Sequence, residues 1–129
     1  MLTGDTLFIN TVGRPDLKAN NDEARLKSRM LYQSLQKIVA LDDKIIVLPA
    51  HTSEPVAFDH TPVQTTIGNI KKSVAILKLN EEEFITIILH RIPPAPANCL
   101  SIVELNLKGD SGRINPFDLK AGANRWAIY

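Results

Sequence analysis

Imidazole and carboxylate groups are the side chains of this sequence that could bind a metal ion or move a proton. The three histidines are His51, His60 and His90, and no two of them form a His-x-His pair, the spacing with which a chain can present two imidazoles to one ion. His51 follows an apolar run, so it is either a site residue or a core histidine. Asp5 follows Gly4, and this dipeptide is also common in ordinary turns. We expect His60 and His90 to be solvated loop and helix residues.

The other reactive groups of the sequence favour structural roles. Cys99 is the single cysteine, which excludes an intramolecular disulfide and a cysteine-based zinc cluster. A lone cysteine fits a reducing compartment, so we expect a cytoplasmic protein in which Cys99 is packed and inert. The acidic run at residues 81–83 follows Asn80, which is typical of a helix start and has no metal-site spacing.

The strands that would position Asp5 and His51 are short. Residues 6–9 form a β-prone run directly after Asp5. Residues 44–48 are mostly apolar, as in a strand buried on both faces, and Pro49 ends this strand. His51 therefore lies beyond its carboxyl end, where ligands usually bind in open α/β sheets.

The helices are predicted from their capping residues. The first carries Leu31, Leu35 and Ile38 at helical spacing, which marks its buried face. The tail from Gly109 to Tyr129 is expected to be extended. Four helices are expected: from Asn20, Asn21 or Asp22 to about Leu41, from Thr65 or Thr66 to about Leu77, from Asn80 to Pro93-Pro94, and onward from Asn98.

The size and charge of the chain limit its function and point to a missing layer. Its 129 residues fit one domain, and a formal net charge of +1 gives no basic field for nucleic acid. No apolar run approaches the roughly 20 residues that a membrane span needs, and no signal peptide is visible. About two strands cannot form an independently stable sheet, and these strands are too apolar to be free edges. We therefore expect a partner layer that this chain does not supply.

The ordered motifs of the chain resemble the second half of the metallo-β-lactamase superfamily, close to the persulfide dioxygenases and glyoxalase II. The resemblance covers nearly the whole chain, and its strength lies in the order and spacing of the segments. The segments are Thr3-Gly4-Asp5-Thr6-Leu7-Phe8-Ile9, Gly13-Arg14-Pro15-Asp16-Leu17, Leu48-Pro49-Ala50-His51, Thr65-Thr66-Ile67-Gly68, Glu82-Glu83-Phe84, Ile92-Pro93-Pro94 and Leu119-Lys120-Ala121-Gly122-Ala123-Asn124-Arg125.

This resemblance implies an α/β fold, the C-terminal half of an αββα sandwich with few strands and several helices, and one partial domain over residues 1–129. It implies that Asp5 binds metal, zinc or iron, and bridges both ions in two-metal members. His51 would complete the second metal site in those members, whereas in persulfide dioxygenases its position is not a direct iron ligand. Arg14 and Asp16 would position the substrate or brace the loop. The implied substrates are glutathione thioesters or persulfides.

The chain departs from the family in lacking the His-x-His-x-Asp-His motif, which lies upstream of the Thr3-Gly4-Asp5 corner in relatives. Met1 falls inside the strand that leads into Asp5. We therefore expect a fragment of a metal-dependent hydrolase or dioxygenase that is inactive alone. The alternatives are a non-catalytic interaction module, which dimerises or pairs with a separately encoded N-terminal half, and a truncated reading frame or proteolytic product.

Overall fold

The computed structural model describes residues 1–15, 20–52, 55–57, 59–92 and 99–109, and the chain divides into two compact units, Met1–Ile92 and Pro93–Tyr129. The elements confirm the mixed α/β class. Along the chain they are β1 (Leu2–Gly4), α1 (Asn21–Val39), β2 (Ile46–Pro49), β3 (Thr65–Thr66), α2 (Ile67–Ser73), a 3-10 helix (Ala75–Lys78), α3 (Glu81–His90) and α4 (Cys99–Lys108).

The sheet has the strand order β1-β2-β3. β1 and β2 are parallel, with Leu2 beside Leu48, whereas β2 and the short β3 are antiparallel. The β-prone run at residues 6–9 is not a strand of this sheet. Leu7 forms an isolated antiparallel bridge with Val12, because a turn after β1 carries the chain away from the sheet and leaves Leu7 fully buried.

The core of the first unit lies between the sheet and its helices. Leu35 on α1, Val47 on β2, Ile67 on α2 and Phe84 on α3 are all fully buried. Burial of such a side chain contributes about 1.5–3 kcal/mol relative to exposure, so these residues fix α1 and α3 over one face of the sheet. The predicted buried face of α1 is confirmed at Leu35; its neighbours Leu31 and Ile38 are half-buried and pack against the same core.

Local capping residues determine the helix starts as expected. Asn20 and Asn80 each form a capping box with the glutamate three residues later, and Thr66 accepts the backbone N–H of Asn69 at 3.3 Å. The helix expected to run to about Leu77 is interrupted at Val74, whose ψ of 87° is not helical, and a 3-10 turn follows. α1 ends at Val39, two residues earlier than expected.

An ion-pair network joins α1 to α3. The guanidinium of Arg29 lies 2.8 Å from a carboxylate oxygen of Glu81 and 3.2 Å from one of Glu82, and Arg25 also pairs with Glu82. The hydrogen bond to Glu81 is the main cause that raises the pKa of Arg29 above its ordinary value. Such solvent-exposed pairs are screened by water and contribute little to stability, so the buried apolar contacts dominate this interface.

The described part of the second unit is α4 and the residue that follows it. Gly109 has a φ of +66°, and its N–H donates to the carbonyl of Leu105 at 3.0 Å, a common way for a helix to end. Asn98, the expected cap, and the tail beyond Gly109 lie outside the described residues. One partial domain over residues 1–129 stays a prediction. Within the ranges given above, no helix has the length and apolar character to cross a membrane.

Candidate functional site

Asp5 lies in a tight turn at the carboxyl end of β1. The turn begins where the N–H of Thr6 donates to the carbonyl of Thr3 at 3.0 Å, and it uses the positive φ of Gly4, +51°. The buried hydroxyl of Thr3 donates to the carbonyl of Leu7 at 2.7 Å, which ties the turn to the buried Leu7. The backbone of Asp5 is thereby fixed while its side chain remains 76% exposed.

Gly13 closes the loop against the backbone of Asp5. The chain reverses after Phe8, whose N–H donates to the carbonyl of Thr11 at 2.9 Å, and the N–H of Gly13 donates to the carbonyl of Thr6 at 3.0 Å. A Cβ atom added at Gly13 would lie only 1.8 Å from the carbonyl oxygen of Asp5. The loop can approach Asp5 this closely only because residue 13 has no side chain.

His51 reaches Asp5 because β1 and β2 are parallel. The N–H of Ala50 donates to the carbonyl of Gly4 at 3.2 Å, so the carboxyl ends of the two strands meet. The Nε2 atom of His51 lies 2.8 Å from the Oδ1 atom of Asp5, a hydrogen-bonding distance. The ring of Phe8 meets the imidazole edge to face, with centroids 5.8 Å apart and planes at 76°. We call Asp5 and His51 the Asp5–His51 pair.

The Asp5–His51 pair fits a metal ion in the type of its donors but not in their number. Zinc accepts both carboxylate oxygen and imidazole nitrogen at about 2.0–2.2 Å, and neighbouring ligand atoms of a tetrahedral site are then about 3.3–3.6 Å apart. The observed 2.8 Å is the distance of a direct hydrogen bond, so the two atoms would have to separate and the proton between them would have to leave before both could bind one ion. A zinc site uses at least three protein ligands. Among the described residues, no group of three or more histidine, cysteine, aspartate or glutamate side chains could hold a metal ion.

The other residues with predicted roles are Arg14, Asp16, His60, His90 and Cys99. Arg14 is half-buried in the loop that follows Gly13, while Asp16 lies outside the described residues, so their proposed substrate-side roles stay predictions. His60 and His90 are exposed, as the sequence indicated. The side chain of Cys99 belongs to the part of the chain that is not described.

Sequence reasoning missed three residues that position the pair. The buried Thr3 hydroxyl anchors the turn, Phe8 contacts the imidazole of His51, and Gly13 permits the close approach to Asp5. Gly13 carried a usable signal, because glycine is favoured both in turns and where the backbone comes close to other atoms. Thr3 and Phe8 carried none, since their contacts depend on how the turn folds back.

Comparisons with known proteins support the fold. No protein-family model matches the chain. A segment of 52 residues is 48% identical to an uncharacterised protein of Mycobacterium leprae (strain TN), and it covers 40% of this chain and 21% of that protein. The crystal structure of a metallo-β-lactamase from Staphylococcus aureus subsp. aureus COL matches with a TM-score of 0.66 at 24% identity.

The structural match covers 81% of this chain. The chain has a metallo-β-lactamase-type fold. The matched regions make up only 30% of that solved chain and 21% of the mycobacterial relative. The fold that the sequence motifs predicted is therefore confirmed.

Proposed function

We propose that this chain is one part of a metal-dependent enzyme of the metallo-β-lactamase fold, and that it supplies Asp5 and His51 as two of the metal ligands. The observation that carries the proposal is the 2.8 Å approach of His51 Nε2 to Asp5 Oδ1 across two paired parallel strands. Forty-six positions separate these residues in the sequence, and the parallel pairing of β1 with β2 brings them together.

The reaction class follows from the resemblance and belongs to the proposal. A zinc or iron ion at such a site would polarise the substrate and activate water or dioxygen. The substrates proposed are glutathione thioesters, which would be hydrolysed, or glutathione persulfides, which would be oxidised. Arg14 and Asp16 would contact the substrate or brace the loop beside it. A cytoplasmic location is part of the same proposal, because Cys99 is the single cysteine.

The chain's own residues would bind and orient the ion rather than complete its site. The exposed carboxylate of Asp5 brings negative charge, and the ring of Phe8 packs edge to face against the imidazole of His51. Two protein ligands hold a catalytic ion weakly. We therefore propose that the chain is inactive alone and that further ligands come from polypeptide beyond it.

Metal content and turnover of the purified chain test this proposal. We expect little metal after dialysis, weak zinc binding on titration, and no turnover of a glutathione thioester or of glutathione persulfide. His51→Ala should weaken zinc binding at least about tenfold if the imidazole is a direct ligand, and the matched exposed histidine in His90→Ala should have no effect. Stoichiometric, tightly held zinc or iron with turnover by the chain alone would contradict the proposal, as would equal effects of the two variants.

A non-catalytic interaction module is the second candidate. It is favoured by apolar side chains left exposed on the sheet, with Leu2 at 82% and Ile46 at 48% exposure. Such a module would bind a second copy or a separately encoded N-terminal half and need no bound metal. Unchanged self-association after removal of all metal by a chelator would favour it over the metalloenzyme fragment.

A further inference from the structure

The two atoms of the Asp5–His51 pair that approach each other are closed by their own hydrogen bond. The Nε2 atom of His51 lies 2.8 Å from the Oδ1 atom of Asp5. An ionised carboxylate only accepts hydrogen bonds, so the imidazole nitrogen is the donor. A protonated imidazole nitrogen has no lone pair to offer to an ion. As the chain stands, the pair is therefore a satisfied hydrogen bond and not an open metal site.

One loop, residues 5–13, brings two groups to the imidazole of His51. Asp5 begins this loop, and Phe8 follows three residues later. The ring of Phe8 meets the imidazole edge to face, an arrangement in which the positive edge of one ring faces the negative face of the other. Water competes for a hydrogen bond this exposed, so a second contact that favours the same orientation of the imidazole strengthens the pair.

The loop that presents these groups is held by contacts of its own. Leu7 is fully buried and forms an antiparallel bridge with Val12. The N–H of Phe8 donates to the carbonyl of Thr11 at 2.9 Å. These contacts do not involve His51. The loop therefore offers a fixed acceptor and a fixed ring, toward which the imidazole turns.

We propose that the Asp5–His51 hydrogen bond is an autoinhibitory contact, which keeps both side chains closed to an ion in this chain alone, and that Phe8 positions the imidazole for it. The inference rests on the ligand roles proposed above. The proton on Nε2 must leave and the two side chains must separate before both can bind one ion. Two protein ligands offset this cost poorly, whereas ligands from further polypeptide would add to them. The contact thus makes ion binding depend on those further ligands.

Nitrogen NMR of the imidazoles in the full chain tests this inference. The spectra are recorded with a chelator, and at mildly alkaline pH, where an ordinary imidazole is neutral. They give the ratio of the form protonated at Nε2 to the form protonated at Nδ1. The exposed His90 serves as the reference in the same spectra. We expect this ratio to be at least about threefold higher for His51 than for His90, as one hydrogen bond to Nε2 predicts.

Substitutions of Asp5 test the acceptor. Asp5→Ala should lower the His51 ratio to that of His90. Asp5→Asn should keep most of the difference, because its amide oxygen still accepts a hydrogen bond. Asp42→Ala is the matched control, since Asp42 is also an exposed aspartate in a turn, where it accepts the backbone N–H of Lys44. We expect Asp42→Ala to leave the His51 ratio unchanged.

Substitutions of Phe8 test the positioning role. Phe8→Leu should lower the His51 ratio, and Phe8→Tyr should keep it, together with proton–proton contacts between the aromatic ring and the imidazole. Ile9→Ala is the matched control, because Ile9 is the next residue of the same loop and is half-buried like Phe8. An effect that came only from loosening the loop would appear in Ile9→Ala as well.

The results that would overturn the inference are distinct from those that would overturn the proposed function. A ratio for His51 that equals that of His90, or that Asp5→Ala leaves unchanged, overturns the autoinhibitory contact, even where His51→Ala weakens zinc binding and so supports the ligand role. A ratio that Ile9→Ala lowers as much as Phe8→Leu overturns the positioning role of Phe8. A high ratio with zinc binding unchanged in His51→Ala overturns the proposed function and the autoinhibition with it, and leaves a hydrogen bond that only links two strand ends.

Discussion

Replacement of Gly13 by alanine tests how the loop holds Asp5. The new Cβ would start 1.8 Å from the carbonyl oxygen of Asp5, whereas real Cβ atoms essentially never come within 3.0 Å of such an atom. The backbone at Asp5 or Gly13 must therefore move by more than an ångström. That shift stretches the 3.0 Å hydrogen bond from the Gly13 N–H to the Thr6 carbonyl.

The expected loss of stability follows from these two effects. Overpacking costs about 1–3 kcal/mol, and the loss of a backbone hydrogen bond about 0.5–1.5 kcal/mol. We expect Gly13→Ala to lower the free energy of unfolding by about 2–4 kcal/mol. For a unit of this size, that lowers Tm by roughly 10–25 °C. The turn at Asp5 should shift with it, so zinc binding by the Asp5–His51 pair should weaken as well.

Gly4→Ala provides the comparison. A Cβ at Gly4 meets no atom within 4 Å, so the substitution adds only the strain of a positive φ, about 1–2 kcal/mol. Urea unfolding followed by circular dichroism would give both values, and zinc titration would report the position of the pair. If Gly13→Ala is as stable as the unaltered chain, or less destabilised than Gly4→Ala, the close approach to Asp5 is not a constraint on this loop.

Three further predictions concern the core, a helix start and a surface turn. Phe84→Ala should lower the free energy of unfolding by about 3–5 kcal/mol in urea titrations, because Phe84 is fully buried, while Thr86→Ala on the exposed side of α3 should cost far less. Asn80→Ala should cost about 0.5–2 kcal/mol by removing the cap that accepts the N–H of Glu83, and Asn80→Ser should restore most of it. Hydrogen bonds from the backbone N–H and side chain of Thr61 hold the pKa of Asp59 below its ordinary value. The turn at Asp59 is therefore fully stabilised above the ordinary aspartate pKa, and it loses that stabilisation as the pH falls through the lowered pKa. The amide resonance of Thr61 should shift over the same pH range. A Thr61 resonance that is unchanged across this acidic range would contradict the assignment.

The sequence by itself determined the helix starts and the presence of strand β2, but not its bounds or its burial. The strand spans Ile46–Pro49, and it is not buried on both faces as expected, because Val47 is fully buried while Ile46 is 48% exposed. Asn20 and Asn80 cap helices through contacts with residues only three positions away, so these signals are complete within a few residues of sequence. The apolar run that becomes β2 is local in the same sense. The motifs around Asp5 and His51 also indicated the fold, which the match to a metallo-β-lactamase confirms.

Tertiary structure alone decided which residues meet. The contact between Asp5 and His51 depends on the parallel register of β1 with β2, and no local pattern encodes a pairing between segments more than 40 residues apart. The burial of Leu7 depends likewise on core residues that are distant in the sequence. Local propensities determine where an element begins, whereas non-local packing determines where it bends and which side chains it brings together.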